Sequence, residues 1–310
     1  ESFFNVWRRD MYYKFKECGS MKIFQISDFH LRGDGKLSFY KADTNKAMKQ
    51  TIDYFGSLKE YELPDFFVAT GDLSEGGTRK GYEIMREGLR SLPKPCYIVP
   101  GNHDKRDYYL NMFDKEVPVQ EDIRPFICYT IDDRPIRVIV IDTTKPNCHS
   151  GGLSKEVADW LEKKIVEYPD KPTLVFTHHV PFETGLPAMD EGFEGADRLS
   201  EILHLHSNVR LCCGHMHVGI VTVWRGITCV TCPSISMPIE VDFRTKSDPY
   251  VTQQEKKNDF KGGGDRFFLG NPGYLIHNLQ GNRINTYVMT IPAGADYSGP
   301  YPFKYYKGEI

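Results

Sequence analysis

Short apolar runs alternate with longer, more polar stretches over the first two thirds of the chain. The runs are rich in β-branched residues and predict buried strands at Lys22–Ser27, Phe66–Thr70, Cys96–Pro100, Arg137–Ile141, Thr173–Thr177 and Val209–Cys213. The stretches between them predict helices at about Thr44–Leu58, Arg79–Leu92, Lys155–Glu167 and Ala196–Leu205, the third with Ser154 as its N-cap. This alternation is typical of an α/β fold built on a layered sheet.

The pattern changes beyond residue 217. Strands are predicted at Val221–Trp224, Ile227–Thr231, Tyr274–Leu279 and Arg283–Met289, with hairpin turns at Arg225-Gly226 and Gln280-Gly281-Asn282. The chain therefore ends in antiparallel structure, which either adds a second sheet or extends the first. The polar residues 242–265, with three consecutive glycines, predict a long loop or cap.

The 310 residues suit one large domain, with or without an appendage. We assign residues 21–310 to this domain, with a cap insertion at about 236–268, and residues 1–20 to an N-terminal extension. Apolar residues near helical spacing predict a docking helix there; they are Phe3, Phe4, Trp7, Met11 and Phe15. Alternatively, Gly19-Ser20-Met21 is a cloning remnant and the preceding segment is foreign.

Composition narrows the function classes. Hydrophobic residues make up 40% and charged residues 26%, as in ordinary globular proteins, and the net charge of −3 argues against a nucleic-acid polymer as partner. No apolar run approaches the length of a membrane span, and no secretory signal is present, so we expect no membrane association and a cytoplasmic location. We therefore predict that most of the eight cysteines are buried free thiols. Cys229 and Cys232 are three positions apart on one predicted strand, so we expect their side chains to face opposite sides of it.

Five polar motifs each follow a predicted strand. They are Asp28-Phe29-His30, Gly71-Asp72, Gly101-Asn102-His103-Asp104, His178-His179 and Gly214-His215-Met216-His217. The carboxyl ends of strands form the ligand crevice of open α/β sheets, so we expect the motifs to converge. In the first and last motifs the polar residues are two positions apart, which on a strand puts both side chains on one face. The glycines permit unusual backbone angles and close approach to an ion.

The motifs supply seven candidate metal ligands: Asp28, His30, Asp72, Asn102, His178, His215 and His217. Seven ligands serve two ions evenly only if one is shared, and Asp72 is the natural bridge because carboxylates bridge readily. Imidazole and oxygen ligands without thiolate suit two divalent or mixed-valence ions of iron, manganese, zinc or cobalt. Such a pair lowers the pKa of a bridging water, and the resulting hydroxide attacks phosphate esters.

Four further residues are candidates for roles around these ligands. His103 donates a proton to the leaving oxygen or stabilises the developing charge. Asp104 either orients His103 or caps the following helix. His179 is interpreted as a residue behind the ligands or a packing residue, because neighbours on a strand point apart. Arg32 is a candidate clamp for a dianionic monoester.

The five motifs resemble those of the calcineurin-like metallophosphoesterase superfamily. Within it, the chain is most similar to the class III cyclic-nucleotide phosphodiesterases and the bacterial glycerophosphodiesterases, and Tyr297-Ser298-Gly299-Pro300 is similar to the latter's terminus. The resemblance implies a four-layer αββα sandwich of two mixed β-sheets flanked by helices. It also implies dimers or higher homo-oligomers formed through cap segments, for which residues 242–265 are the candidate here.

The resemblance divides the ligands between two metal ions. One ion would be held by Asp28, His30, Asp72 and His217, and the other by Asp72, Asn102, His178 and His215. His103 would be the proton donor.

The leading hypothesis is a dinuclear metal-dependent phosphodiesterase that hydrolyses a small diester, such as cyclic AMP or a glycerophosphodiester, by attack of a metal-bridging hydroxide. The alternative is a phosphomonoesterase or nucleotide pyrophosphohydrolase with the same metals. A non-catalytic binding scaffold ranks below both, because such a protein normally lacks ligands or the catalytic histidine, and all are present here.

Overall fold

A computed structural model describes residues 20–113, 117–118, 120–292 and 301–302. The expected docking helix in residues 1–20 lies outside these residues apart from Ser20, as does the glycerophosphodiesterase-like segment Tyr297–Pro300. The proposed domain boundary at residue 21 therefore stays a prediction.

The described residues form strands and helices in the predicted alternation. The strands are β1 Met21–Ile26, β2 Phe66–Thr70, β3 Cys96–Val99, β4 Tyr129–Ile131, β5 Arg137–Val140, β6 Gly151–Gly152, β7 Thr173–Phe176, β8 Phe193–Glu194, β9 Val209–Cys213, β10 Val221–Trp224, β11 Ile227–Thr231, β12 Arg266–Phe267, β13 Gly273–Gln280, β14 Arg283–Thr290 and β15 Tyr301–Pro302. The α-helices are α1 Thr44–Ser57, α2 Arg79–Arg90, α3 Arg106–Met112, α4 Lys155–Ile165, α5 Ala196–Leu203 and α6 Gln253–Lys257. None of these helices combines the length and the apolar character that crossing a membrane requires.

Two mixed sheets contain most of the strands. The first has the order β14-β13-β1-β2-β3, and the second has the order β10-β11-β9-β7-β5-β4. Strands β1, β2 and β3 of the first sheet run parallel, as do β11, β9, β7 and β5 of the second. The hairpin β13-β14 adds to the first sheet through an antiparallel pairing of β13 with β1. In the second sheet, the antiparallel strands β10 and β4 form the two edges. The two predicted hairpins therefore extend one sheet each.

Helices cover the outer face of each sheet. Met48 and Phe55 of α1 belong to the same apolar cluster as Phe24 of β1. On the other side, Leu161 of α4 and Leu199 of α5 belong to a cluster with strands β7 and β9. The layers are thus helix, sheet, sheet and helix, which confirms the αββα sandwich implied by the resemblance.

A buried polar network joins the two sheets. The Nε2 atom of Gln25 in β1 donates to the hydroxyl of Thr70 in β2 and to the carbonyl of Cys213 in β9, both at 2.9 Å. His277 of β13 completes it, with Nε2 3.0 Å from Gln25 Oε1 and Nδ1 2.9 Å from the hydroxyl of Thr286. Buried polar groups stabilise a single packing arrangement only when all are satisfied, and this network fixes how the sheets sit on each other.

Local chemistry explains where several elements begin and end. Ser154 accepts a hydrogen bond from the amide of Val157 at 3.3 Å, which confirms the predicted N-cap of α4. Arg225 and Gly226 have positive φ angles of 50° and 84°, as the tight turn between β10 and β11 requires. The stretch predicted as a loop, residues 242–265, also contains α6, which starts with a capping box between Thr252 and Glu255.

The cysteines in the described part of the chain are free thiols. Cys229 packs in the cluster beneath α4 and α5, whereas Cys232 packs in the cluster between the sheets. The two therefore face opposite sides of the second sheet, as predicted.

Candidate metal centre

The five motifs meet where the two sheets abut. Three follow β1, β2 and β3 of the first sheet, and two follow β7 and β9 of the second. Their side chains form two buried groups whose potential ligand atoms lie within 4.8 Å of one another: Asp28, His30, Asp72 and His217 in the first group, and His178, His179 and His215 in the second. The predicted convergence of distant motifs is thus present in the structure.

The first group is tightly clustered. The Nε2 atoms of His30 and His217 are 3.1 Å apart. His30 Nε2 lies 3.5 Å from Asp72 Oδ2, and His217 Nε2 lies 3.5 Å from Asp28 Oδ1. This is the set that the resemblance assigned to one metal ion.

The second group lies next to an oxygen atom of the first. His178 Nε2 lies 3.4 Å from the same Asp72 Oδ2 atom and 3.0 Å from Asn102 Oδ1. The His178 and His215 rings are 5.2 Å apart between centroids. Asp72 is therefore adjacent to both groups, in the position that ligand counting assigned to the bridge.

Backbone hydrogen bonds orient two of the imidazoles. His178 Nδ1 donates to the carbonyl of Thr70, and His217 Nδ1 donates to the carbonyl of Met237, each at 2.7 Å. Each Nε2 atom is then the one that faces the centre. Fixing the second nitrogen in this way is a common feature of metal-bound histidines.

The route by which the side chains converge differs from the prediction. Sequence reasoning relied on the alternation of strand residues, but the ligand candidates lie beyond the strand ends. Five of them have left-handed backbone with φ between 49° and 67°: Asp28, His30, Asp72, His215 and His217. Such angles are unfavourable for residues with a Cβ and concentrate at functional sites.

Two glycines make room for this arrangement. A Cβ atom on Gly101 would lie 2.2 Å from Asp72 Oδ1 and 2.3 Å from the Asp72 amide. Gly71 has a φ of 95°, and a Cβ there would lie 2.4 Å from His178 Nδ1. Only glycine permits the loops to approach this closely.

The donor atoms fit a cation. His30 Nδ1 donates to Glu75 Oε2 at 2.8 Å, so in the neutral forms of His30 and His217 two Nε2 lone pairs face each other. Burial raises the pKa of Asp28 to about 6, and its Oδ2 atom has no hydrogen-bond partner among the described residues. Two lone pairs that face each other beside a buried carboxylate are costly without a positive charge between them.

Electrostatics set the charge of the shared residue. Burial alone would raise the pKa of Asp72, but His178, His103 and His30 outweigh it and hold that pKa well below its usual value. Burial together with His30 lowers the pKa of His217 to about 3. The centre therefore presents an ionised carboxylate and a neutral imidazole, both suited to metal binding.

Comparison with known proteins identifies the family. The family model described as calcineurin-like phosphoesterase matches residues 21–219. The chain belongs to the calcineurin-like phosphoesterase family. Members of this family use a binuclear metal centre. This chain is therefore an enzyme that hydrolyses phosphoesters.

Curated relatives agree with this placement. A probable glycerophosphodiester phosphodiesterase from Arcobacter nitrofigilis is 32% identical over 294 residues, which cover 94% of this chain and 99% of the relative. A 3',5'-cyclic adenosine monophosphate phosphodiesterase from Escherichia coli K12 is 27% identical over 216 residues, covering 69% of this chain and 76% of the relative.

A solved structure shares the phosphoesterase fold. The protein GAP50, described as the anchor in the inner membrane complex of Plasmodium, has a TM-score of 0.53 at 16% identity, covering 93% of this chain and 90% of that one. At this identity the likeness concerns the fold alone.

Glu75 is a residue of this phosphoesterase site that sequence reasoning missed. Its Oε2 atom lies 2.8 Å from Nδ1 of His30 and 3.4 Å from Nδ1 of His103. Burial lowers the pKa of His103, but Glu75 and Asp72 outweigh it and raise that pKa to about 10. The signal available in the sequence was an acidic residue three positions after Asp72.

Among the described residues, the Asp104 carboxylate forms no hydrogen bond with His103 and does not cap α3. Its carboxylate accepts hydrogen bonds from the amides of Leu73 at 3.1 Å and Gly101 at 2.9 Å, and from the hydroxyl of Tyr109 at 2.9 Å. The residue before α3 is Lys105, with no side-chain cap. Asp104 therefore ties together the loops after β2 and β3.

His179 lies closer to the ligands than predicted. Residues 178 and 179 are beyond the end of β7, so strand alternation does not apply, and the His179 ring is 4.9 Å from that of His178 and 5.0 Å from that of His215. His149 also lies beside the site, with Nδ1 3.2 Å from Asn102 Nδ2.

Arg32 forms a two-bond ion pair. Its Nε and Nη2 atoms donate to the carboxylate of Asp34 at 2.9 and 2.7 Å. The guanidinium charge is thus already neutralised by Asp34, and the geometry gives no support to a phosphate clamp.

Proposed function

We propose that this enzyme is a phosphodiesterase that hydrolyses small diesters at a pair of metal ions. The observation that carries the proposal is the position of Asp72 Oδ2, which lies 3.5 Å from His30 Nε2 and 3.4 Å from His178 Nε2. One carboxylate oxygen thus adjoins both ligand groups, as a bridging ligand must. The names of the relatives, which include glycerophosphodiester and cyclic AMP phosphodiesterases, favour a small diester as substrate.

We propose the two ligand sets that the resemblance implies, which share Asp72. Asp28, His30, Asp72 and His217 would hold one ion. Asp72, Asn102, His178 and His215 would hold the other. The absence of thiolates among them favours iron, manganese, zinc or cobalt.

Two ions bound there would supply a Lewis acid for the phosphate oxygens and make water acidic enough to attack phosphorus near neutral pH. The protein's own contribution centres on His103. Hydrolysis forms one phosphorus–oxygen bond with water and breaks the bond to the alcohol, whose oxygen then needs a proton. Glu75 faces Nδ1 of His103, so Nε2 is the atom that would deliver it.

Hydrolysis of bis(p-nitrophenyl) phosphate by manganese-loaded enzyme tests the proposal. We expect activity that falls at least about 100-fold in Asp72→Ala and in His103→Ala. His204→Ala, which removes an exposed imidazole on the surface, is the matched control and keeps full activity.

A second comparison separates the diesterase from the monoesterase. The enzyme should hydrolyse bis(p-nitrophenyl) phosphate faster than p-nitrophenyl phosphate under the same conditions. A clear preference for the monoester would contradict the proposal, as would wild-type rates in the Asp72→Ala variant.

A further inference from the structure

A buried tyrosine of the outer helix layer reaches the loops that carry the metal ligand candidates. Tyr82 lies on the buried side of α2, together with Met85 and Leu89. It is 0% exposed, and the centroid of its ring lies 5.8 Å from that of Tyr109 and 6.2 Å from that of Phe113. A phenylalanine ring would fill the same space, so packing alone does not require the hydroxyl.

The Tyr82 hydroxyl joins two consecutive residues of the loop after β3. It accepts a hydrogen bond from the amide of Lys105 at 2.7 Å and donates one to Oδ1 of Asp104 at 3.1 Å. A hydroxyl has a single hydrogen to donate. The bond from Lys105 occupies a lone pair of the hydroxyl oxygen, so its hydrogen is directed at Asp104.

The same loop orients the Asp72 carboxylate. The amide of His103 donates to Asp72 Oδ1 at 2.9 Å. The other oxygen, Oδ2, is then the one that lies 3.5 Å from His30 Nε2 and 3.4 Å from His178 Nε2. A shift of the loop after β3 would therefore release the carboxylate that is proposed to bridge two ions, and would move the proposed proton donor with it.

Asp104 connects the Tyr82 hydroxyl to the loops on both sides. Its carboxylate accepts hydrogen bonds from the amide of Leu73, next to Asp72, and from the amide of Gly101. Changing a residue that holds a ligand in place typically lowers metal affinity or activity about 10- to 100-fold. A hydroxyl on an outer helix is thus linked to the centre by two successive hydrogen-bonded contacts.

We propose that Tyr82 is a positioning residue of the phosphoesterase reaction. Acting through Asp104, its hydroxyl fixes the bridging orientation of Asp72 and the place of His103. The inference rests on the two-metal phosphodiesterase function proposed above and adds to it a residue outside the ligand groups.

Tyr82→Phe in the manganese-loaded enzyme tests this role, because it removes the hydroxyl and keeps the ring. With bis(p-nitrophenyl) phosphate, we expect kcat to fall at least about 10-fold. KM should stay within about twofold, since the affected groups act in the transition state. Electron paramagnetic resonance gives a readout that does not depend on turnover. The spectrum of the coupled manganese pair should change, because the coupling passes through the bridging ligands.

Tyr129→Phe is the matched control. Tyr129 is also 0% exposed, and its hydroxyl donates to a strand carbonyl, that of Ile98, at 2.8 Å. Each variant loses a buried hydroxyl and its hydrogen bonding, so both should lower the urea midpoint of unfolding. Only Tyr82→Phe should lower kcat and change the spectrum.

Asp104→Asn tests the route from Tyr82 to the centre. The carboxamide has the same shape, but its nitrogen cannot accept the bonds that the carboxylate accepts. We expect the same loss of kcat without a matching change in KM. The double variant with Tyr82→Phe should have a kcat within about threefold of that of Asp104→Asn alone, because residues of one hydrogen-bonded network are not additive.

The outcomes separate this inference from the function on which it rests. A wild-type kcat and spectrum in Tyr82→Phe overturn the positioning role, as does an equal loss of kcat in Tyr129→Phe. Losses that multiply in the double variant overturn the route through Asp104. If the metal-loaded wild type leaves bis(p-nitrophenyl) phosphate intact and shows no coupled manganese pair, the proposed function itself fails.

Discussion

The Oε2 atom of Glu75 lies 2.8 Å from Nδ1 of His30. Through this contact a residue outside the ligand groups fixes the ring of a ligand candidate and leaves Nε2 facing the centre. The same carboxylate oxygen lies 3.4 Å from His103. Glu75 thus links a metal ligand candidate to the proposed proton donor.

Removing this carboxylate should weaken metal binding. We expect Glu75→Ala to lower manganese affinity about 10- to 100-fold, the usual effect of losing the partner that orients a histidine ligand. Isothermal titration calorimetry on metal-free protein measures it. Glu83→Ala, which removes a carboxylate from the surface of α2, is the control, and an equal loss in both variants would rule out a specific role for Glu75.

Adding one methyl group at Gly101 should disrupt the centre. The new Cβ would lie 2.2 Å from Asp72 Oδ1 and 2.3 Å from the Asp72 amide, and the backbone atom cannot rotate away. We expect Gly101→Ala to lose most bound metal and at least about 1 to 3 kcal/mol of unfolding free energy.

Gly56→Ala is the matched control for that change. No heavy atom lies within 4 Å of a Cβ at this position in α1. The control should leave metal content unchanged and stabilise the protein by up to about 1 kcal/mol, because alanine is the better helix former. Wild-type metal content in Gly101→Ala would contradict the packing argument.

Asp28 should stabilise the metal-bound protein and destabilise the metal-free one. Burial raises its pKa to about 6, so at pH 7.5 the metal-free fold contains a costly buried charge. We expect Asp28→Asn to raise the unfolding free energy in EDTA by about 1 to 3 kcal/mol. With manganese present, the wild type should gain more stability than the variant.

Chemical denaturation with and without metal measures both effects. Asp53→Asn, which alters an exposed carboxylate in an ion pair with Lys49 on α1, should change neither value by more than about 0.5 kcal/mol. A variant of Asp28 that is less stable than the wild type in EDTA would show that the carboxylate does not carry this cost.

His277 should make stability depend on pH. Burial, aided by Arg210, lowers its pKa to about 3 in the folded protein, while the unfolded chain binds the proton near pH 6.5. Its contribution is complete above pH 6.5 and is lost as the pH falls from there towards 3. The slope is up to about 1.4 kcal/mol per pH unit.

Urea denaturation between pH 7 and pH 4.5 checks this contribution. His277→Gln should flatten the pH dependence relative to the wild type, because glutamine does not titrate. His204→Gln, at an exposed position, should leave the slope unchanged. Parallel curves for the wild type and His277→Gln would exclude the proposed linkage.

The strands and the ligand candidates were predictable because apolar runs and motif residues are local signals. The strands β2, β9, β10 and β11 match the predicted bounds, and the four predicted helices end one or two residues earlier than expected. The helices α3 and α6 were not predicted. The pairing of β13 with β1 was not predictable, since it joins segments about 250 residues apart and depends on the buried contact between Gln25 and His277.

The sequence predicted which residues come together at the candidate site better than it predicted their geometry. Ligand counting made Asp72 the candidate for the shared residue, but no local pattern predicts the left-handed backbone at Asp28 or His215. Glu75 and the contacts of Asp104 escaped prediction for a related reason. Both act across loops, and isolated acidic residues in a sequence usually belong to the solvated surface.

Each proposed ligand set draws on both sheets. In the first, Asp28 and Asp72 follow strands of one sheet and His217 follows a strand of the other; in the second, His178 and His215 meet Asn102 across the same boundary. Neither sheet alone carries a complete set. A metal ion can therefore bind to its full set of ligands only after the two sheets have packed together. A partly folded chain would lack a complete metal site and would be inactive.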